Sequence, residues 1–417
     1  MTEPTTSTQP VRARARRPAW ESVAPRSPIT AREAAPGVRR PWRLPLDPVL
    51  TAAVVGLGVA SVVTLRGATS GLIPAQPHYY VNRQVTYLIA GVLLMLVLSR
   101  IDYSHLRRLH GAIYGLLLLM ILAVLAVGHT ARGSQRAINL PFFSFQASEV
   151  GKVLLITALS AFVVGRARKL RHRDTTAQVM LAALIPAILV ILQPDLGSGM
   201  VYIVIAVTLL FVAGTSWKHL SALAALGAVS LALVLVAAPA VGIHVLKPYQ
   251  VQRLTAFLHP STNPQKEGYQ QVEAKIAIGS GQKTGRGVNA TQTRLNFVPE
   301  DHTDFVFAAV GEQYGLLGAA LVLSLYALLI WRGLRVLLMA KDLFGALIAA
   351  GVAAMLCFQV FVNVGMTVGI MPITGVTLPL MSYGGSSVIT TMLAIGLLQS
   401  VYVQARSAQA SKGRMPW

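Results

Sequence analysis

Apolar residues run along the chain in long blocks, separated by short breaks that hold most of the charge. Ten blocks can be placed: 48–65, 84–100, 109–128, 147–165, 177–193, 199–215, 219–243, 305–330, 343–365 and 385–404. A helix crosses a bilayer's hydrocarbon core with about 20 apolar residues, and most of the blocks come near that length. The pattern predicts an all-α, polytopic integral membrane protein with about ten transmembrane helices. The pair flanking Gln193-Pro194-Asp195 reads either as two helices or as one kinked helix, because Pro194 removes a backbone donor.

Composition agrees with the pattern. Of 417 residues, 54% are hydrophobic and only 12% charged, where a soluble domain carries about 25% charged residues. Cys357 is the only cysteine, so a disulfide framework is excluded. The net charge of +21 points to no nucleic acid, since the basic residues cluster at span ends without an aromatic-lined groove. Nine arginines precede the first block, among them Arg39, Arg40 and Arg43. Further basic residues follow at Arg107 and Arg108, at Arg166, Arg168, Lys169, Arg171 and Arg173, at Lys218, and at Arg332, Arg335 and Lys341. With ten spans these all fall on one side, which predicts cytoplasmic N- and C-termini.

Three parts follow. Residues 1–45 form a basic, Pro-interrupted cytoplasmic tail of charge +6, too poor in apolar residues to fold. Residues 46–405 form the membrane domain, and 406–417 a short cytoplasmic end. One outer loop, 244–304, is about sixty residues long, and loops of that length are functional or disordered. It opens His244-Val245-Leu246-Lys247-Pro248 and contains the glycine-rich run Gly279–Gly287. That run fits neither a dinucleotide nor a Walker pattern, so a flexible connector and a phosphate-contacting loop are both open. Tyr269, Val272, Ile276, Ala277 and Ile278 give it an amphipathic stretch.

Polar groups inside apolar blocks carry the chemistry, since a charge at the bilayer centre costs about 3 kcal/mol. Glu149 and Lys152 are three apart at the start of the fourth block, where they can pair on one helix face. Asp195 follows Pro194 and precedes Gly197 and Gly199, a place for a helix cap or for a bond to Lys152 or Arg83. The densest group is Pro299-Glu300-Asp301-His302-Thr303-Asp304 before Phe305-Val306-Phe307. If that stretch is helical, Glu300 and Asp304 share a face. Acids there would complement a helix dipole, and Asp304 against apolar neighbours can have a raised pKa and act as a general base. A metal site from Glu300, His302 and Asp304 is the weaker alternative. Residues 369–387 are broken by three Gly/Pro clusters and predict a re-entrant, non-helical stretch, after which Ser386 and Ser387 open the last helix.

Taken together, these segments resemble the SEDS family of bacterial shape, elongation, division and sporulation proteins (RodA, FtsW, SpoVE). The resemblance covers residues 48–404 and rests on Gln146–Lys152, Gln193-Pro194-Asp195-Leu196-Gly197, Ala277–Gly281, Val298-Pro299-Glu300, His302–Phe305 and Pro379–Ser387. Gly287–Phe307, Asn363–Met366 and Gly396–Ser400 look more like the RodA branch than the FtsW branch. The resemblance implies a peptidoglycan glycosyltransferase that polymerises lipid II at the outer face of the plasma membrane. It also implies a class B penicillin-binding protein, a transpeptidase, as partner. It marks Asp304 as the catalytic residue and Glu149, Lys152 and Asp195 as functionally important. Glu300, His302 and Ser386 join them as candidate substrate contacts. Arg83, Lys152, Lys275 and Arg286, or a divalent cation such as Mg or Mn, are candidates to meet the pyrophosphate charge. Asn296 stands where many relatives have Glu, Ala147 where Pro is common, and Ala137 where Trp is common. A lipid II flippase and a non-catalytic scaffold are the competing classes.

Overall fold

The computed structural model describes residues 46–69, 76, 78–131, 134–139, 144–170, 172–233, 257, 267–295, 297–300 and 302–412. The N-terminal tail, the loop opening His244–Pro248, Asn296 and Asp301 lie outside the described residues.

The helices are α1 (Pro48–Ala68), α2 (Tyr79–Arg100), α3 (Ser104–Arg108), α4 (His110–Val127), α5 (Ala147–Gly165), α6 (Arg173–Leu192) and α7 (Leu196–Val212). They continue as α8 (Trp217–Ala232), α9 (Glu267–Gly281), α10 (Thr291–Arg294), α11 (Val306–Met339), α12 (Leu343–Val368) and α13 (Gly385–Lys412). Eight of them (α1, α2, α4, α5, α6, α11, α12 and α13) are long and apolar enough to cross a membrane. The shorter α7 is apolar as well, and α8 begins the seventh expected block. The motif Gln193-Pro194-Asp195 separates two helices, so the kinked-helix alternative falls.

Helix starts follow their caps. Asp47 caps α1, accepting from the Val49 and Leu50 N–H groups, with Pro48 at the first position. Asp342 caps α12 through the Gly345 N–H at 2.8 Å, and Gly369 closes that helix in the left-handed region. Small residues set the close helix crossings, as in membrane bundles generally. A Cβ on Gly91 of α2 would lie 2.7 Å from Met392 of α13, and one on Gly151 of α5 would lie 2.0 Å from the Tyr202 hydroxyl of α7.

Three features depart from the sequence pattern. A small antiparallel sheet, β1 (His129–Ala131), β2 (Ser134–Asn139) and β3 (Ser144–Phe145), fills the connection into α5. Helix α11 runs past the expected end of its block to Met339, so Arg332 and Arg335 lie within a helix rather than in a loop. Finally, α11 is broken near its start, at Gly315 with φ +63°.

The break at Gly315 explains the glycine-rich run. Leu316 and Leu317 lose their helical acceptors and donate instead to the carbonyls of Gln282 (2.9 Å) and Lys283 (3.1 Å). Arg286 N–H donates to the Glu312 carbonyl at 2.8 Å. A Cβ on Gly285 would meet the Gln313 carbonyl at 2.2 Å, and one on Gly281 the Gly311 carbonyl at 1.9 Å. The glycines therefore bring two backbones into contact. Gly281 and Gly285 are needed for that contact, whereas Gly279 and Gly287 face open space.

Candidate active site

The site is organised by residues 370–384, which are non-helical as the Gly/Pro clusters predict. Buried non-helical backbone in a membrane protein needs partners for its polar groups. Here side chains from several helices supply them. Tyr326 of α11 donates to the Pro379 carbonyl at 2.5 Å, and Ser61 of α1 to the Met381 carbonyl at 3.0 Å. Gln84 of α2 donates to Ser61 (3.0 Å) and to the Ser382 carbonyl (3.3 Å). Ser382 in turn accepts from the Leu378 N–H. Gln271 of α9 reaches the Met366 and Met371 carbonyls. Leu380 sits at φ +65°, a conformation that such surroundings can hold.

Two polar groups converge on this segment. The first is the turn that carries Asp304. Residues 302–305 form a turn and α11 starts only at Val306, so Glu300 and Asp304 do not share a helix face. No acid lies in the first turn of α11, which removes the helix-dipole account. Glu300 has φ +62°; its carbonyl accepts from Thr303 and Phe305 N–H, and its carboxylate from the Thr303 hydroxyl at 2.8 Å. Tyr383 N–H donates to the His302 carbonyl at 2.8 Å, and Asn363 of α12 donates to the Asp304 carbonyl at 2.8 Å. The His302 ring packs against Tyr80 (4.9 Å) and Tyr383 (6.0 Å), which also touch each other. Arg83 lies over Tyr79 at 4.7 Å and hydrogen-bonds Tyr383. Burial pushes the Tyr383 phenol well up, with Arg83 only partly offsetting it, so the residue stays a neutral hydroxyl.

The second group surrounds the start of α5. Lys152 donates to Glu149 at 2.5 Å, and both are buried. Asp195, also buried, caps α7 through the Ser198 N–H at 3.1 Å. Its other oxygen accepts from the Ser148 hydroxyl (2.8 Å) and the Gln146 amide (3.1 Å). The cap reading of Asp195 thus holds; its hydrogen bonds come from these groups, not from Lys152 or Arg83. Ser386 accepts from Gln146 N–H at 3.0 Å and donates to the Ser144 carbonyl at 2.7 Å, joining α13 to the start of α5. Gly197 lets α7 approach the central segment: a Cβ there would meet Val376 at 2.4 Å.

Two candidates stand apart. Arg286 donates through Nε to the Ser280 carbonyl within its own loop. Lys275 is exposed and lies across the backbone of Gly369, whose Cβ would sit 1.9 Å from its Cε. Among the described residues no three His, Cys, Asp or Glu side chains come together as a metal site. Glu300, His302 and Asp304 thus do not form such a three-ligand group.

Some residues escaped the sequence reading. Glu312, fully buried in α11, accepts from the Gln292 and Thr293 N–H groups at 2.8 Å each and so pins α10. An acid inside Val306–Gly311 plus Glu312 was visible by the same cost argument that singled out Glu149. Asn363 and Gln146 are polar too, but only their long-range partners give them meaning.

With this geometry in place, the chain can be compared with known proteins. A family model described as "Cell cycle protein" (FtsW, RodA, SpoVE) matches residues 46–407. A probable peptidoglycan glycosyltransferase FtsW of Thioalkalivibrio sulfidiphilus is 36% identical over 88% of this chain and 91% of its own. The peptidoglycan glycosyltransferase MrdB of Escherichia coli is 33% identical over 88% and 96%. Among solved structures, one described as the coordination of polymerization and crosslinking by a peptidoglycan synthase complex matches with TM-score 0.72 and 32% identity, covering 87% of this chain and 99% of that one. Rod shape determining protein RodA of Thermus thermophilus matches with TM-score 0.62 and 30% identity, over 87% and 98%. The fold and site thus define a polytopic membrane protein with a polar site built on a non-helical segment. The chain belongs to the FtsW/RodA/SpoVE family, that is, SEDS.

Proposed function

We propose that this chain is a peptidoglycan glycosyltransferase that polymerises lipid II at the outer face of the plasma membrane, with Asp304 as general base. The observation that carries the reading is the central segment 370–384. Near its C-terminal end it anchors the Asp304 turn through Tyr383 and leads, three residues on, into Ser386, which meets the polar start of α5. The proposed site thereby combines a carboxylate turn, the buried cation Lys152 and a non-helical floor.

The chemistry is an inverting displacement. A glycan 4-hydroxyl attacks the anomeric carbon of a second glycan; the new O–C bond forms as the bond to lipid pyrophosphate breaks. Asp304 takes the hydroxyl proton, and the pyrophosphate leaves with the bonding electron pair. Lys152 and Arg83 are the cations we assign to that charge; the burial of Lys152 supports its part, since fixed charge in a water-poor site stabilises a developing anion. The Escherichia coli relative is named a peptidoglycan glycosyltransferase and the Thioalkalivibrio one a probable peptidoglycan glycosyltransferase, which supports the reaction class. The synthase complex it resembles couples polymerization to crosslinking, which supports a class B penicillin-binding protein as partner. The basic residues put both termini in the cytoplasm.

Purified chain, alone and with its transpeptidase, tests the proposal with lipid II as substrate. Glycan polymer should form. Lipid II that crosses vesicle membranes without polymerising would instead make the chain a flippase, and neither outcome would leave a scaffold.

A further inference from the structure

Asn363 lies in α12, 59 residues from Asp304 in sequence, and its side chain is fully buried. Its amide nitrogen donates to two carbonyls, that of Asp304 at 2.8 Å and that of Val376 at 2.7 Å. Two carbonyl acceptors fix which end of the amide faces them, because only the NH2 can satisfy both. The amide oxygen has no hydrogen-bond partner among the described residues. The side chain is therefore placed for its donors, at the cost of an unsatisfied acceptor.

We propose that Asn363 is a positioning residue for glycosyl transfer, setting the Asp304 carboxylate by holding the Asp304 backbone against the central segment. The inference rests on the reading of Asp304 as base. The geometry separates it from simple packing. Among the points that hold the Asp304 turn are two backbone carbonyls two residues apart: first that of His302, bonded by Tyr383 N–H, and second that of Asp304, bonded by Asn363. Removing Asn363 frees the second point and leaves the first. The turn then persists while the carboxylate drifts, and a displacement of about 1 Å can cost around 10²-fold in rate.

The test is a double-mutant cycle in purified, lipid-reconstituted protein. Asn363→Ala should lower kcat for lipid II polymerisation about 10- to 100-fold with KM changed less than about twofold. Asp304→Asn/Asn363→Ala should be no slower than Asp304→Asn alone, because the positioning residue acts only through the base. Asn363→Ser, which keeps one donor, should fall between wild type and alanine, and it carries the same cycle if the alanine variant does not fold. Normal kcat in the alanine variant overturns the inference. Losses that multiply in the double mutant do so too, and leave the base assignment standing. An Asp304→Asn protein with normal kcat removes the base assignment itself, and the inference with it.

Discussion

Two buried ion pairs sit toward opposite ends of α13 and are built differently. At one end Arg332 of α11 bonds Asp47, the cap of α1, across 285 residues of sequence. Asp47 also meets Gln399 of α13, donating its N–H at 2.8 Å, while the Arg332 guanidinium lies 5.7 Å from the Tyr402 ring centre. Three helices are tied by one charge pair. About 20 Å away along α13, taking 1.5 Å per residue from Gln399 back to Ser386, Glu149 and Lys152 pair within a single turn of α5. That bond joins a helix to itself. A buried pair usually repays little more than its own desolvation, and under the proposed function this one serves the substrate rather than the fold. The Asp47–Arg332 pair links helices, and the Glu149–Lys152 pair links none.

The largest stability effect should come from the linking pair. Arg332→Met leaves Asp47 buried without its cation, a loss of about 3–5 kcal/mol. Thermal unfolding in detergent should show it, while polymer formed per folded molecule stays near wild type. A fall in turnover matching that of a site variant would break the comparison. Lys152→Met should do the converse, cutting turnover per folded molecule about 10²-fold. Adding Glu149→Gln removes the stranded carboxylate, so thermal stability should recover and turnover should not. Recovery of both would make the pair structural after all.

The smallest effect sharpens the contrast with a half-exposed pair. Lys341 lies 3.5 Å from Asp102 in the turn after α2. Burial pushes the Asp102 carboxyl up, but the Ser104 hydrogen bonds and Lys341 outweigh it, and the pKa lies below its ordinary 3.8. The folded state therefore holds the proton less tightly than the unfolded one. The resulting stability is present above pH 3.8 and is lost as pH falls through the lower folded value. Asp102→Asn should cost about 0.5 kcal/mol near neutral pH and nothing in strong acid. An equal cost at both would assign the effect to lost packing.

The bundle was legible in the sequence because each membrane helix needs its own long apolar block, a local signal. The expense of buried charge also singled out Glu149, Lys152 and Asp195 before any contact was known. What escaped was non-local. The glycines at 281 and 285 face a break at Gly315 some thirty residues later, and only their meeting shows that they serve backbone contact. Acids before an apolar run look like a helix start, whereas Asn363 and Tyr383 hold residues 302–305 in a turn ahead of the helix. The β-strands before α5 leave no strong period over so few residues.

Purified, reconstituted Asp304→Asn protein, measured beside wild type for lipid II polymerisation and for lipid II binding, tests the central claim most directly. The change keeps shape and removes the proton acceptor. Polymerisation should fall about 10²–10⁴-fold while binding and thermal stability stay close to wild type. Polymer yield near wild type from the folded variant would contradict the account.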